Sequence, residues 1–197
     1  MDEVERLKAA AGRRAPTGIR NRALVDLLAR TGLRVSEALA LRPVDINLER
    51  AEVTVLHGKG DRHRVCGILG GPPAELELWL EARRRLGLAR APTVFCTLQG
   101  RPLYASYVRA LLPRLARRAG IAKRVHPHGL RHSHATELVR RGVPLHMIQA
   151  QLGHANIAGT SRYIARIAPA ELVATLARID WRGEHAAGGG GRRSEAA

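Results

Sequence analysis

The chain has 197 residues, 45% of them apolar, enough for one packed core, and its 33 lysines and arginines against 17 acids give a formal charge of +16. That excess is far beyond what solubility needs and predicts a polyanionic partner; the 3% aromatic content speaks against stacking platforms for single strands and favours duplex backbone. No apolar run approaches the roughly 18 residues of a membrane span, and the start, MDEVERLKAA, is charged, so the expectation is a cytoplasmic protein with no membrane partner.

Residues 1–10 read as a short amphipathic helix. In NRALVDLLARTGLRVSEALALR the apolar residues recur at helical spacing and the Thr31–Gly32 pair interrupts them, which predicts two helices with a sharp joint. Arg34 lies beside that joint, Ser36 and Glu37 fall in the next first turn, and Pro43 marks the far end. AEVTVLHGKGDRHRVCGIL alternates on both sides of a Gly-rich turn, the pattern of an antiparallel hairpin with Lys59 at or near its tip. PPAELELWLEARRRLG predicts a helix, TVFCTLQGRPLY a short strand and turn, and SYVRALLPRLARRAG a helix that must accommodate Pro113. After HPHGL come RHSHATELVRRG, a helix closed by Gly142, and PLHMIQAQLGH, opened by Pro144 and closed near Gly153. IAGTSRYIARI and PAELVATLARID complete the helical set, and GEHAAGGGGRRSEAA has the composition of a flexible linker.

Cys66 and Cys96 lack metal or redox spacing and stand among apolar residues; they are read as reduced, buried fillers. Trp79 and Trp181 are read as core. The clusters Arg83–Arg85 and Arg117–Arg118 read as solvated helix faces.

The chemistry concentrates in HPHGLRHSHAT, residues 126–136. Four histidines are nominally enough for zinc, but His126 and His128 straddle a proline and His132 and His134 would point to different sides of a helix. Phosphate is the better fit: His128 and Arg131, three residues apart in a first helical turn, would share a face near the positive end of the dipole. Metal-free phosphodiester chemistry needs forked cationic donors, an acid for the leaving alkoxide and a nucleophile. Arg34 and Arg131 suit the first role, Lys59 the second and Tyr163 the third, with His154 able to reach the same phosphate.

TGLRVSEALAL, GKGDRHRV, HGLRHSHAT and LGHANIAGTSRYI, in that order, resemble the catalytic domain of the tyrosine recombinases, or phage integrases, over about residues 1–180. The resemblance implies a mainly α fold with a small antiparallel sheet (α+β) and a site-specific DNA recombinase that cuts and rejoins strands through a 3′-phosphotyrosyl link. It implies no cofactor and no metal. Tyr163 would attack, Arg34 and Arg131 would stabilise the pentavalent transition state, and Lys59 would protonate the leaving 5′-oxygen. His128 would assist proton transfer, His154 would bond a non-bridging oxygen, and Glu37 would be the acidic residue that orients the basic groups. Partners implied are double-stranded DNA and further copies of the chain, as a tetramer on DNA.

Family members normally carry an N-terminal core-binding domain that clamps the other face of the DNA. The expected organisation is a catalytic domain at 1–180, a flexible Gly-rich tail at 181–197 and no core-binding domain, with its lost phosphate contacts weakening binding. A separate clamp domain or full-length recombinase would then be a further partner. Two other readings stay open: a non-catalytic DNA-binding regulator or truncated remnant, and a relaxing enzyme with the same nicking and closing chemistry.

Overall fold

The computed structural model describes residues 2–56 and 63–153. In chain order these form α1 (Asp2–Ala11), α2 (Pro16–Thr31), α3 (Val35–Ala40), β1 (Ile46–Asn47), β2 (Glu52–Val55), β3 (Arg64–Gly67), α4 (Ala74–Arg85), α5 (Ala105–Arg118), α6 (Pro127–Arg140) and α7 (Leu145–Leu152). The mainly α architecture with a small antiparallel sheet is as expected. No helix among the described residues is long and apolar enough to cross a membrane.

The organising element is α2, which is buried on nearly every side and packs against α1, α4 and α6. Its apolar residues Leu24, Val25, Leu27 and Leu28 join Leu76, Trp79, Leu111 and Leu112 in one core, and the Trp79 indole N–H is satisfied by the Val94 carbonyl at 2.9 Å. A helix surrounded this way must also bury its polar residues, and each has an internal partner. Arg20 donates to the Cys96 carbonyl at 2.8 Å and to the Tyr107 hydroxyl at 2.6 Å. The Lys8 ammonium reaches Asp26 at 2.9 Å.

Arg22 forks onto Glu75 at 2.9 and 2.5 Å, and Arg13 adds a third bond at 2.7 Å. The Arg22 hydrogen bonds, with burial opposing and Arg13 assisting, hold the Glu75 carboxyl at about 2, against an ordinary 4.5. A carboxyl held below its unfolded value contributes stability that is complete above about pH 4.5 and is lost as pH falls towards about 2, a window worth about 3 kcal/mol. Glu75→Gln is therefore expected to lower the melting temperature at neutral pH and flatten its fall across that window. An unchanged acid slope in the variant would overturn this assignment.

The sheet has the order β1-β2-β3, antiparallel throughout, with Val53 opposite Cys66 and Val55 opposite Arg64. The hairpin is where alternation placed it, and residues 57–62, with Lys59, lie outside the described residues. The two-residue β1 is too short to leave an alternating signal.

Three expectations need correction. TVFCTLQGRPLY forms only an isolated bridge between Cys96 and Pro102, because Pro102 has no N–H with which to extend a ladder. Arg83 is not on a solvated face: it is 5% exposed and its guanidinium donates to the Ala91 carbonyl at 2.5 Å. Arg84 and Arg85 are exposed and pair with Glu81. Finally, α6 begins at Pro127, so PHGL is its first turn and not a preceding loop; Pro127 fills the first helical position and the His126 Nδ1 caps the Gly129 N–H at 3.2 Å.

Candidate active site

The site is assembled around the ends of two helices. At the end of α2 the Thr31 hydroxyl folds back to the Leu27 carbonyl at 2.7 Å, and Gly32 takes a left-handed conformation, φ 65°. Only glycine fits there: a Cβ would stand 2.6 Å from the His134 ring. The chain leaves this joint with Arg34 as the N-cap residue of α3, and Glu37, one turn on, reaches back to accept the Arg34 backbone N–H at 2.8 Å. Its other oxygen accepts from Arg34 Nη1, also at 2.8 Å.

The end of α7 supplies the second half. The last carbonyls of a helix have no partner within it and carry the negative end of its dipole, so cations gather there. Three consecutive carbonyls are taken by three arginines: Gln151 by Arg64 Nε at 3.4 Å, Leu152 by Arg131 Nη2 at 2.6 Å and Gly153 by Arg34 Nη2 at 3.5 Å. Arg131 also spans to the Gly32 carbonyl at 2.7 Å and so ties the ends of α2 and α7 together. Cys66, buried as expected, does more than fill space, since its thiol donates to the Gln151 carbonyl at 3.3 Å. Burial pushes that thiol above its ordinary range.

The charges do not balance. Arg34 and Arg64 both bond Glu37, whereas Arg131, 6% exposed, makes no ion pair among the described residues. Burial first, and then the neighbouring Arg34, pull the Arg131 guanidinium down to about 10. For Glu37, burial works to raise the carboxyl, but the hydrogen bonds from Arg64 and Arg34 outweigh it and hold the group below its usual range. A buried guanidinium lacking a counter-charge is what an incoming anion would relieve.

Arg131 and Arg34 open onto a cleft of about 640 Å³ whose wall also carries His128, His126, Arg109 and Arg124. The exposed His128 ring stacks on His126 with centroids 6.4 Å apart. His134 is buried and structural: its Nδ1–H donates to the Ala29 carbonyl at 3.1 Å. Burial, opposed by that bond and reinforced by Arg131, lowers it to about 4, so it is neutral at pH 7. His132 lies on the exposed side of the helix. Among the described residues no group of three or more His, Cys, Asp or Glu is arranged to hold a metal ion.

Of the predicted site, the structure brings Arg34, Glu37 and Arg131 into one hydrogen-bonded cluster and sets His128 on the same cleft. Lys59, His154 and Tyr163 lie outside the described residues. Sequence reasoning passed over Arg64, although alternation along β3 puts it on the same side as the buried Cys66. It also passed over Arg109 and Arg124, which nothing in the motifs separated from other surface arginines.

The model of the phage integrase family matches residues 1–168. Over 167 residues the chain is 38% identical to the tyrosine recombinase XerD of Ralstonia nicotianae, covering 82% of this chain and 53% of that protein. The crystal structure of XerA recombinase superposes with a TM-score of 0.75 at 30% identity, covering 91% of this chain and 63% of that one. That of XerH site-specific recombinase bound to palindromic difH substrate, a post-cleavage complex, gives 0.71 at 30% identity over 90% and 51%. The chain spans about half the length of the relatives it matches.

Proposed function

Because the chain belongs to the phage integrase family, we propose that it is the strand-cutting part of a site-specific DNA recombinase that acts on duplex DNA in the cytoplasm. The observation that carries this reading is the buried Arg131, without an ion pair among the described residues, beside Arg34, both opening onto a basic cleft large enough for a phosphodiester. The relative XerH is described as bound to its difH substrate after cleavage, which supports DNA as the partner of this chain also.

In this reading Arg34 and Arg131 hold the non-bridging oxygens of the scissile phosphate, where charge accumulates as phosphorus becomes five-coordinate. The Tyr163 oxygen bonds to phosphorus as the P–O5′ bond breaks. Lys59 gives its proton to the departing 5′-oxygen, His128 takes up the phenol proton, and His154 adds a donor to the phosphate. The phosphotyrosyl link conserves the bond energy, so a second 5′-hydroxyl can reverse the step without nucleotide hydrolysis. Exchange needs four cut strands, and assembly of four copies on paired sites belongs to the same reading.

Incubation with nicked duplexes, from which the short fragment carrying the new 5′-hydroxyl diffuses away after cleavage, is expected to trap a protein–DNA adduct on a denaturing gel. A folded protein that binds duplex yet yields no adduct would overturn the catalytic reading and favour a DNA-binding regulator.

A further inference from the structure

Glu37 is the one carboxylate in the arginine cluster among the described residues, and how it divides its bonds decides which arginine is free to act. Its side chain is 3% exposed, and its two oxygens accept from four N–H groups. Arg64 supplies a forked pair, Nη1 to Oε1 at 3.0 Å and Nη2 to Oε2 at 2.7 Å. Arg34 gives a single side-chain bond and leaves its guanidinium 35% exposed on the cleft, whereas Arg64 is 12% exposed and is not part of the cleft wall.

We infer that Arg64 is a positioning residue: by occupying both oxygens of Glu37 in a forked ion pair, it keeps that carboxylate from turning Arg34 away from the phosphate cleft. This rests on the phosphate-binding reading of the cleft given above. A buried carboxylate left half-paired is costly, and the fork is the geometry a guanidinium and a carboxylate prefer. With Arg64 gone, Arg34 is the donor already in contact with Glu37, and it would close the second bond. The residue that should grip phosphate would then be spent neutralising Glu37.

The seat of Arg64 is fixed from two further directions. Its Nε faces the Gln151 carbonyl at 3.4 Å, and a Cβ at Gly153 would stand 2.8 Å from its guanidinium carbon. The left-handed Gly153, φ 61°, therefore makes room for this one side chain. Arg64 joins β3, the start of α3 and the end of α7, elements distant in sequence.

The test compares wild type with Arg64→Gln, Arg64→Lys and the double variant Glu37→Gln/Arg64→Gln. Two readouts are followed: the rate of adduct formation on nicked duplex, and the gain in melting temperature on adding inorganic phosphate, which reports anion binding without catalysis. Arg64→Gln is expected to slow adduct formation about tenfold to a hundredfold and to lose the phosphate-dependent gain, with Arg64→Lys intermediate. The double variant is expected to regain part of both relative to Arg64→Gln, because with no carboxylate Arg34 is no longer drawn inward, though it also loses the bond by which Glu37 holds it. A double variant as impaired as Arg64→Gln, or an Arg64→Gln protein within about twofold of wild type, would overturn the inference. If wild type forms no adduct, the recombinase reading fails by itself, while the order of phosphate-dependent gains among the four proteins still decides the role of Arg64. Should Arg64→Gln fail to fold, the same comparison between Arg64→Lys and Glu37→Gln/Arg64→Lys takes its place.

Discussion

Arg131→Ala is expected to slow adduct formation by about a thousandfold while changing stability by no more than about 3 kcal/mol. The two effects separate because the site holds opposing terms. Removing the guanidinium leaves the Gly32 and Leu152 carbonyls without their donors, at about 1–3 kcal/mol for each buried acceptor. It also removes a buried cation whose guanidinium is pulled from 12.5 to about 10, a disfavour worth about 3 kcal/mol. These nearly cancel in the unliganded protein. They do not cancel in the transition state, where the same cation would meet the developing phosphate charge and Arg34 would be left to hold the non-bridging oxygens without it.

Arg131→Lys sharpens the point. A lysine has no fork with which to span two carbonyls and present two donors to a phosphate, so a single ammonium in this seat does not reproduce the geometry of the guanidinium. The lysine variant is therefore expected to rescue little of the rate. Urea titration and the nicked-duplex assay, run on both variants, check this. A rate loss that follows the loss of folded protein would reassign Arg131 to a purely structural role.

The distribution of these residues explains what could be read from the sequence. Helical periodicity and the Gly and Pro punctuation marked the joint at Thr31–Gly32 and the end of α7, and both stand where expected, because local backbone requirements decide them. Arg34, Glu37, His128 and Arg131 were legible as motif members, and α3 and α6 carry them to one place. What the motifs could not show is how the arginines divide their labour. Arg64 looked like a strand residue near a turn, yet it makes the forked ion pair with Glu37, a contact between residues 27 apart in sequence. Arg83 looked like its exposed neighbours Arg84 and Arg85, and only the loop carbonyls of Ala91 and Thr93 make it a buried strut. In both cases the deciding partner is remote from any local pattern. Composition gave the sign of the surface charge but not the excess of buried cation, which depends on Arg131 finding carbonyls where its neighbours find a carboxylate.

Tyr163→Phe is expected to abolish the adduct while leaving duplex affinity within about twofold, since affinity for DNA comes mainly from cations on phosphates and one phenol oxygen adds little. The assignment can be tested against its competitors, because the chain has only three tyrosines. Tyr107 is committed elsewhere: its hydroxyl accepts from Arg20 at 2.6 Å and donates to Asn21 at 2.9 Å within the polar network of α2. Tyr104, the N-cap residue of α5, is 76% exposed, so its hydroxyl is accessible, but its side chain is not part of the cleft wall. A free phenol has a pKa of about 10, and a nucleophilic phenolate needs surrounding positive charge to form near neutrality. Arg131, which makes no ion pair among the described residues, is a source of such charge in the cleft, and under the proposed function Tyr163 of LGHANIAGTSRYI, not Tyr104, makes the attack. Tyr104→Phe is accordingly expected to form adduct at the wild-type rate. An adduct that survives Tyr163→Phe and disappears in Tyr104→Phe would transfer the nucleophile to the N-cap of α5, and one that survives both would move it to Tyr107 or to a residue other than tyrosine.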